Sequence, residues 1–337
     1  MEFKKYLFWY VALILLLFLI ATQLFSPQNQ LLQLIIIAIL SMLIIMKSAG
    51  YMIFAISDYA RKSGLSDYLL GFVIVALCTS LPEISTAIFA SLAKKGSLIL
   101  GDVIGANIID TTIVLGLVAI LGKKLKVGGK KITSVIAIPL ALLIVGFDGT
   151  LSRIDGAFLI AIFIVYLVIL IMQETSKSKL VQDIKFKKIW KDIAIFGFSL
   201  AALLLAARWM VFSALQISQM FNIPPFVLGL FVIALGTTIP ELTVELKSIL
   251  AGAKNLAFGD IFGSFITNIC LVLGIAALIN PIVFDRFTFF SSFGFMILAI
   301  FASVFFMNRK HITWKEGVYL LIIYVLFIIS QVWINLF

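Results

Sequence analysis

A chain of 337 residues in which 63% of side chains are hydrophobic and only 12% charged, with a mean hydropathy of +1.19, carries more apolar surface than a soluble core can bury. That composition excludes an ordinary water-soluble domain and makes the bilayer the second solvent. The net charge of +10 alone would fit a nucleic-acid binder, but the placement of the basic residues gives it another meaning.

A hydrocarbon core about 30 Å thick takes about 20 helical residues to cross. Apolar runs of that order are read at 6–25, 31–60, 68–93, 97–121, 132–147, 152–172, 190–219, 225–251, 255–280, 287–307 and 314–336, which predicts an all-α polytopic membrane protein of about eleven transmembrane helices. The first run follows Lys4 and Lys5, but it is longer than a signal core and no small-residue cleavage site follows it, so it reads as a retained helix within residues 1–30. With the N-terminus in the cytoplasm, nineteen basic residues fall on cytoplasmic loops, against four outside, Lys94, Lys95, Arg153 and Arg286. This positive-inside bias predicts a multi-pass protein of the cell membrane with its N-terminus inside and its C-terminus outside, and accounts for the charge without nucleic acid. Lys47 and Arg208, within spans, are expected to snorkel or to neutralise buried acids. Cys78 and Cys270 read as apolar filler, and His311 belongs to the basic loop "NRKHITWK".

Residues 69–117, "LLGFVIVALCTSLPEISTAIFASLAKKGSLILGDVIGANIIDTTIVLGL", align without a gap with residues 227–275, "VLGLFVIALGTTIPELTVELKSILAGAKNLAFGDIFGSFITNICLVLGI". Each matched position lies 158 residues from its counterpart, as Glu83 does from Glu241, and Pro82, Asp102 and Gly105 pair with Pro240, Asp260 and Gly263. Chance similarity between apolar helices would match Leu with Ile, not Pro-Glu and Gly-Asp in register. A weaker match of "SRIDGAFLIAIFIVYL" with "TWKEGVYLLIIYVLFI" extends the repeats to 31–172 and 190–337, joined by a short basic cytoplasmic loop at 173–189. Five helices per repeat is an odd number, so the two copies are expected in opposite orientations, the pattern of alternating-access transporters.

Each repeat places a proline within a span. Proline removes a backbone donor, which strips the carbonyls of Cys78 and Gly236 of their helical partners and is expected to break both helices. Thr79 and Glu83, like Thr237 and Glu241, are four apart and share a helix face beside the break. A carboxylate at the bilayer centre costs at least about 2.5–3.5 kcal/mol, so two at equivalent positions point to function. Glycines four apart in "GDVIGANIID" and "GDIFGSFITN" permit close helix packing, and beyond them stand Asn107 and Asp110, then Ser264 and Asn268. The expected site is a midplane cage of Glu83, Glu241, Asp110 and Asn268, with threonine oxygens and carbonyls around it. An all-oxygen donor set suits a hard cation such as Ca2+.

Asp102 and Asp260 are open to two readings, ion-path carboxylates or groups that cap or orient the start of the packed helix. Glu245 has Ala87 as its counterpart in the first copy and is expected to pair with Lys247 or a basic loop rather than to line a vestibule.

The paired "TSLPE" and "TTIPE" motifs, followed by "GDVIGANIID" and "GDIFGSFITN", resemble the alpha repeats of the cation/calcium exchanger superfamily, closest to its prokaryotic sodium/calcium exchangers. The resemblance implies that Glu83, Glu241, Thr79 and Thr237 are ligands together with the carbonyls of Ala76 and Ala234, and that Ser80, Thr238 and Ser264 serve sodium sites. Departures from the family pattern are Asp110 and Asn268, where Asn and then Asp are found, and Ala106, where a serine is usual. The extra N-terminal helix is similar to that of eleven-helix proton/calcium exchangers, but both motifs end in Pro-Glu rather than in those proteins' Glu-His form. The expected function is therefore secondary antiport of Ca2+ against Na+, with H+/Ca2+ antiport as the alternative and a cation channel less favoured. No serine has a histidine partner and no cofactor is implied, so an enzyme is not expected. A single chain is expected to suffice.

Overall fold

The computed structural model describes residues 30–62, 75–121, 137–175, 189–250, 254–307 and 313–336. The expected helix at 6–25 and the loop at 176–188 lie outside the described residues. Among these residues eight helical segments are long and apolar enough to cross a membrane.

In chain order, α1 spans Gln30–Lys62, α2 Ala76–Thr79 and α3 Leu81–Leu92. Helix α4 (Gly96–Ile109) runs through a π-helical turn at Asp110–Val114 into α5 (Leu115–Leu121), and α6 (Ala137–Val145) and α7 (Arg153–Thr175) complete the first half. The second half begins with α8 (Ile189–Phe221). Helix α9 (Pro225–Leu228) leads through a π-turn at Gly229–Ile233 into α10 (Ala234–Leu250), and α11 (Lys254–Ile266) through another at Thr267–Val272 into α12 (Leu273–Ile279). Helices α13 (Arg286–Met307) and α14 (Trp314–Leu336) follow.

The two proline motifs do not behave alike. The first chain segment breaks at Ser80 (φ −82°, ψ 3°), leaving Pro82 in the first turn of α3, where its missing N–H is no loss. The second does not break there, because α10 continues through Pro240. The irregularity of that span lies about two turns before Pro240, in the π-turn at Gly229–Ile233. A π-turn inserts one residue and loosens the local ladder, as a proline does.

The motif helices form the centre. In the most apolar stretch of Gly96–Leu121 and of Gly259–Ile279, 83% of residues are buried, against 22% for Arg153–Met172 and 28% for Trp314–Ile334, whose exposed Phe158, Ile164, Val165, Ile329 and Trp333 form an apolar outer face. Small residues bring the two halves together. A Cβ on Gly101 would stand 2.0 Å from the Phe226 carbonyl oxygen, one on Gly105 2.3 Å from that of Leu230, and one on Gly229 1.9 Å from that of Leu98. The outer helices are exchanged in the same way. Gly116 packs on Gly317 of α14, while its counterpart Gly274 packs on Gly156 of α7.

One short antiparallel pair, β1 (Thr150–Leu151) with β2 (Ile282–Val283), was not foreseen. It joins the turns before α7 and α13, and Ile282 also packs against Gly96, so the turns carrying Lys95, Arg153 and Arg286 meet at one end of the bundle. Gly149, at φ +88°, makes this corner possible, since a side chain there would press on Arg286. Hydrogen bonds from the Thr150 N–H and hydroxyl hold the Asp148 carboxyl below the usual carboxylate range, so this tie is present at neutral pH and is lost on acidification.

Candidate ion-binding site

The proline motifs and the Gly-Asp helices meet inside the bundle, and their polar side chains are withdrawn from solvent: Thr79, Ser80, Glu83, Asp110, Thr237, Thr238, Glu241, Ser264 and Asn268 are all buried. Neither carboxyl oxygen of Glu83, Glu241 or Asp110 has a hydrogen-bond partner, nor has either amide atom of Asn268. Charge–charge interaction links Glu241 to Glu83, Asp110 and Asp260, acids distant in sequence. Among the described residues no three His, Cys, Asp or Glu side chains are gathered so as to hold a metal ion. Buried polar atoms normally find partners, and this concentration of unpartnered oxygens in an apolar interior is suited to a cation.

The threonines are placed by a reciprocal exchange between halves. The Thr79 hydroxyl lies 3.2 Å from Asp260 Oδ1 and 3.3 Å from Ser264 Oγ, while that of its counterpart Thr237 lies 3.2 Å from Asp102 Oδ1. Each hydroxyl also reaches the carbonyls one turn back, Val75 and Ala76 at 3.1 Å, Ile233 at 3.2 Å and Ala234 at 3.4 Å. The Ala76 carbonyl already accepts the Ser80 N–H at 2.9 Å, and that of Ala234 accepts the Thr238 hydroxyl at 2.5 Å. A cation drawing on either carbonyl must therefore compete with a hydroxyl. Ser80 Oγ is buried and unpartnered.

One expectation changes and two open readings narrow. Asp102 and Asp260 lie inside α4 and α11, not at helix starts, so a capping role is ruled out and both carboxyls bond to the motif threonines. Glu245 is fully buried without a hydrogen-bonded partner, and Lys247 is exposed, so the expected surface pairing does not form. Lys47 and Arg208 are exposed on the outer surface, in keeping with snorkelling rather than neutralisation of the site. Asn107, buried with both amide atoms unpartnered, adds a polar group to the interior. The Gly-Asp register was a usable signal for Asp102 and Asp260. The π-turns at Asp110 and at Thr267–Val272, which occupy matching positions in the two repeats, had none.

A multi-spanning helical bundle with acidic groups buried between two related halves defines an integral membrane cation carrier. The chain belongs to the family described as sodium/calcium exchanger protein, which matches residues 33–172 and 191–333, and it is therefore a cation/Ca2+ exchanger and not an enzyme. It is 30% identical over 277 residues to the inner membrane protein YrbG of Escherichia coli, covering 77% of this chain and 84% of that protein. It is 26% identical over 339 residues to the sodium/calcium exchanger MaX1 of Methanosarcina acetivorans, covering 87% and 97%. The solved sodium-calcium exchanger NCX_Mj, soaked with Na+ and Sr2+, has the same fold, with a TM-score of 0.68 and 24% identity over 89% of this chain and 99% of that one.

Proposed function

We propose that the chain exchanges Ca2+ for Na+ by alternating access at a carboxylate site near the bilayer midplane. The observation that carries this reading is the pair of buried, unpartnered glutamates, Glu83 and Glu241, one from each repeat and within electrostatic reach of each other. In this reading Glu83, Glu241 and Asp110 hold Ca2+ with Asn268, Thr79, Thr237 and the carbonyls of Ala76 and Ala234, and Ser80, Thr238 and Ser264 serve Na+. Three ionised carboxyls carry about three negative charges, enough for one Ca2+ or for several monovalent ions but not for both sets. Shared oxygens make exchange obligatory.

The two five-helix repeats lie in opposite orientations in the cell membrane, with the N-terminus inside and the C-terminus outside, and the outer helices move against the central motif helices. Both glutamates come from one chain, so a single chain suffices. H+/Ca2+ antiport is the second reading. It is favoured by buried carboxyls beyond the proposed calcium ligands, at Asp102, Asp260 and Glu245.

Radioactive calcium uptake into proteoliposomes under an imposed Na+ gradient, a pH gradient or neither decides between them. Uptake driven by Na+ and abolished by Glu83→Gln or Glu241→Gln is expected. Uptake driven by a pH gradient alone rejects sodium coupling, and normal transport by either glutamine variant rejects the site.

A further inference from the structure

The two repeats agree at Thr, Pro, Glu, Gly and Asp, and one of the places where they differ lies just after the motif glutamate. In the first copy the residues after the motif glutamate include Thr86 and Ala87, and in the second copy the same positions hold Val244 and Glu245. The exchange has a structural consequence. Asp102 has a hydroxyl within hydrogen-bonding distance of each carboxyl oxygen, Thr237 at Oδ1 and Thr86 at Oδ2, each at 3.2 Å, with Thr86 sharing its proton with the Glu83 carbonyl at 2.9 Å. Its counterpart Asp260 keeps the first bond, from Thr79, but Val244 offers no hydroxyl, and Asp260 Oδ2 is buried with no partner. At the adjoining position the small buried Ala87 becomes Glu245, itself 0% exposed with neither oxygen bonded. The second copy has thus lost a donor and gained an acid.

Helix α10 packs against α1, α2, α4, α11 and the π-turn at Asp110–Val114. The acids within electrostatic reach of Glu245 on these elements are Asp260 and Asp110. Cys78 on α2 and Asp102 on α4 bring no positive charge, and Lys47 on α1 and Lys247 on α10 are exposed. Three carboxyl oxygens, two from Glu245 and Oδ2 of Asp260, are therefore withdrawn from water with no hydrogen-bond donor to them. Leaving such groups uncompensated in a dry interior is strongly unfavourable.

We propose that Glu245 and Asp260 hold one additional hard monovalent cation of sodium size, in the place that the Thr86 hydroxyl takes in the first repeat. Ca2+ is the poorer fit, since it takes about 6–8 oxygens and these two side chains offer three orphaned ones. The inference deepens the sodium-coupled reading above by giving the chain an asymmetric auxiliary site built on Glu245 and Asp260 rather than on the two motif glutamates.

The test counts ions on the purified full chain in detergent at neutral pH, with 22Na+ and 45Ca2+ as probes. Glu245→Gln is expected to lower saturating 22Na+ by one ion per chain and to leave bound 45Ca2+ unchanged. The double variant Val244→Thr/Glu245→Ala installs the first repeat's own hydroxyl and alanine, so it meets the folding requirement in another way and is expected to give the same loss. An unchanged 22Na+ count in either folded variant, or no 22Na+ binding by the unaltered chain, overturns the proposal. Loss of 45Ca2+ in the double variant also overturns it, because Glu245 would then belong to the calcium site. Failure of the main reading has a different signature, namely retention of 45Ca2+ by Glu83→Gln and Glu241→Gln.

Discussion

At the scale of single residues, the site is set by which oxygens already have partners. Thr237 shares its one hydroxyl proton among Asp102 and two carbonyls, and Thr79 does the same with Asp260 and two carbonyls. Thr237→Val leaves a buried carboxyl oxygen stranded, and a hydrogen bond to a charged group contributes about 1.5–3 kcal/mol, so calcium affinity is expected to fall about ten- to hundredfold. Titration of calcium-dependent uptake measures it. Asp102→Asn keeps an acceptor for Thr237 but cannot accept from Thr86 with its amide nitrogen, and partial activity is expected in the same assay. The acids themselves were legible, because a carboxylate inside an apolar run is conspicuous. Their partners were not, since Thr79 and Asp260 are 181 positions apart and nothing local in either helix names the other.

At the scale of elements, close approach and broken ladders position these groups. Gly101→Ala and Gly105→Ala press a methyl into the carbonyls of Phe226 and Leu230, and overpacking of this kind costs about 1–3 kcal/mol. A lower melting temperature in detergent is expected for both, while Gly50→Ala, where no atom lies within 4 Å, serves as the control and is expected to be neutral or stabilising. The prolines should separate. Pro240 sits inside α10 and Pro82 in the first turn of α3, so Pro240→Ala gains a backbone donor within a continuous helix and is expected to raise the melting temperature more than Pro82→Ala. Glycine spacing foretold the packing of α4, and among the described residues helix ends were read to within a few residues. The π-turns escaped notice, because α4 and its continuation are buried on all sides and an inserted residue leaves no trace in a hydrophobic pattern without a polar face.

At the scale of the whole molecule, the exchanged packing of Gly116 on Gly317 and of Gly274 on Gly156 ties each half to the outer helix of the other. The β1–β2 pair and the contact of Ile282 with Gly96 gather three turns at one end. Cysteines placed at Lys95, Asp148 and Asp285 are therefore expected to react with a membrane-impermeant maleimide from the same side, the outer one by the distribution of basic residues. Native Cys78 and Cys270 are buried and should not interfere. Labelling of these positions from opposite sides of sealed vesicles contradicts this arrangement.

The membrane class, the duplicated motifs and the acidic candidates belong to the sequence alone, because each rests on composition or on residues a fixed distance apart along one chain. Tertiary structure decided which acids are satisfied and which are not. Asp102 and Asp260 look equivalent as letters, yet Thr86 completes one and Val244 leaves the other open. That difference depends on atoms meeting across helices at hydrogen-bonding distance, a property that no spacing within a single helix records.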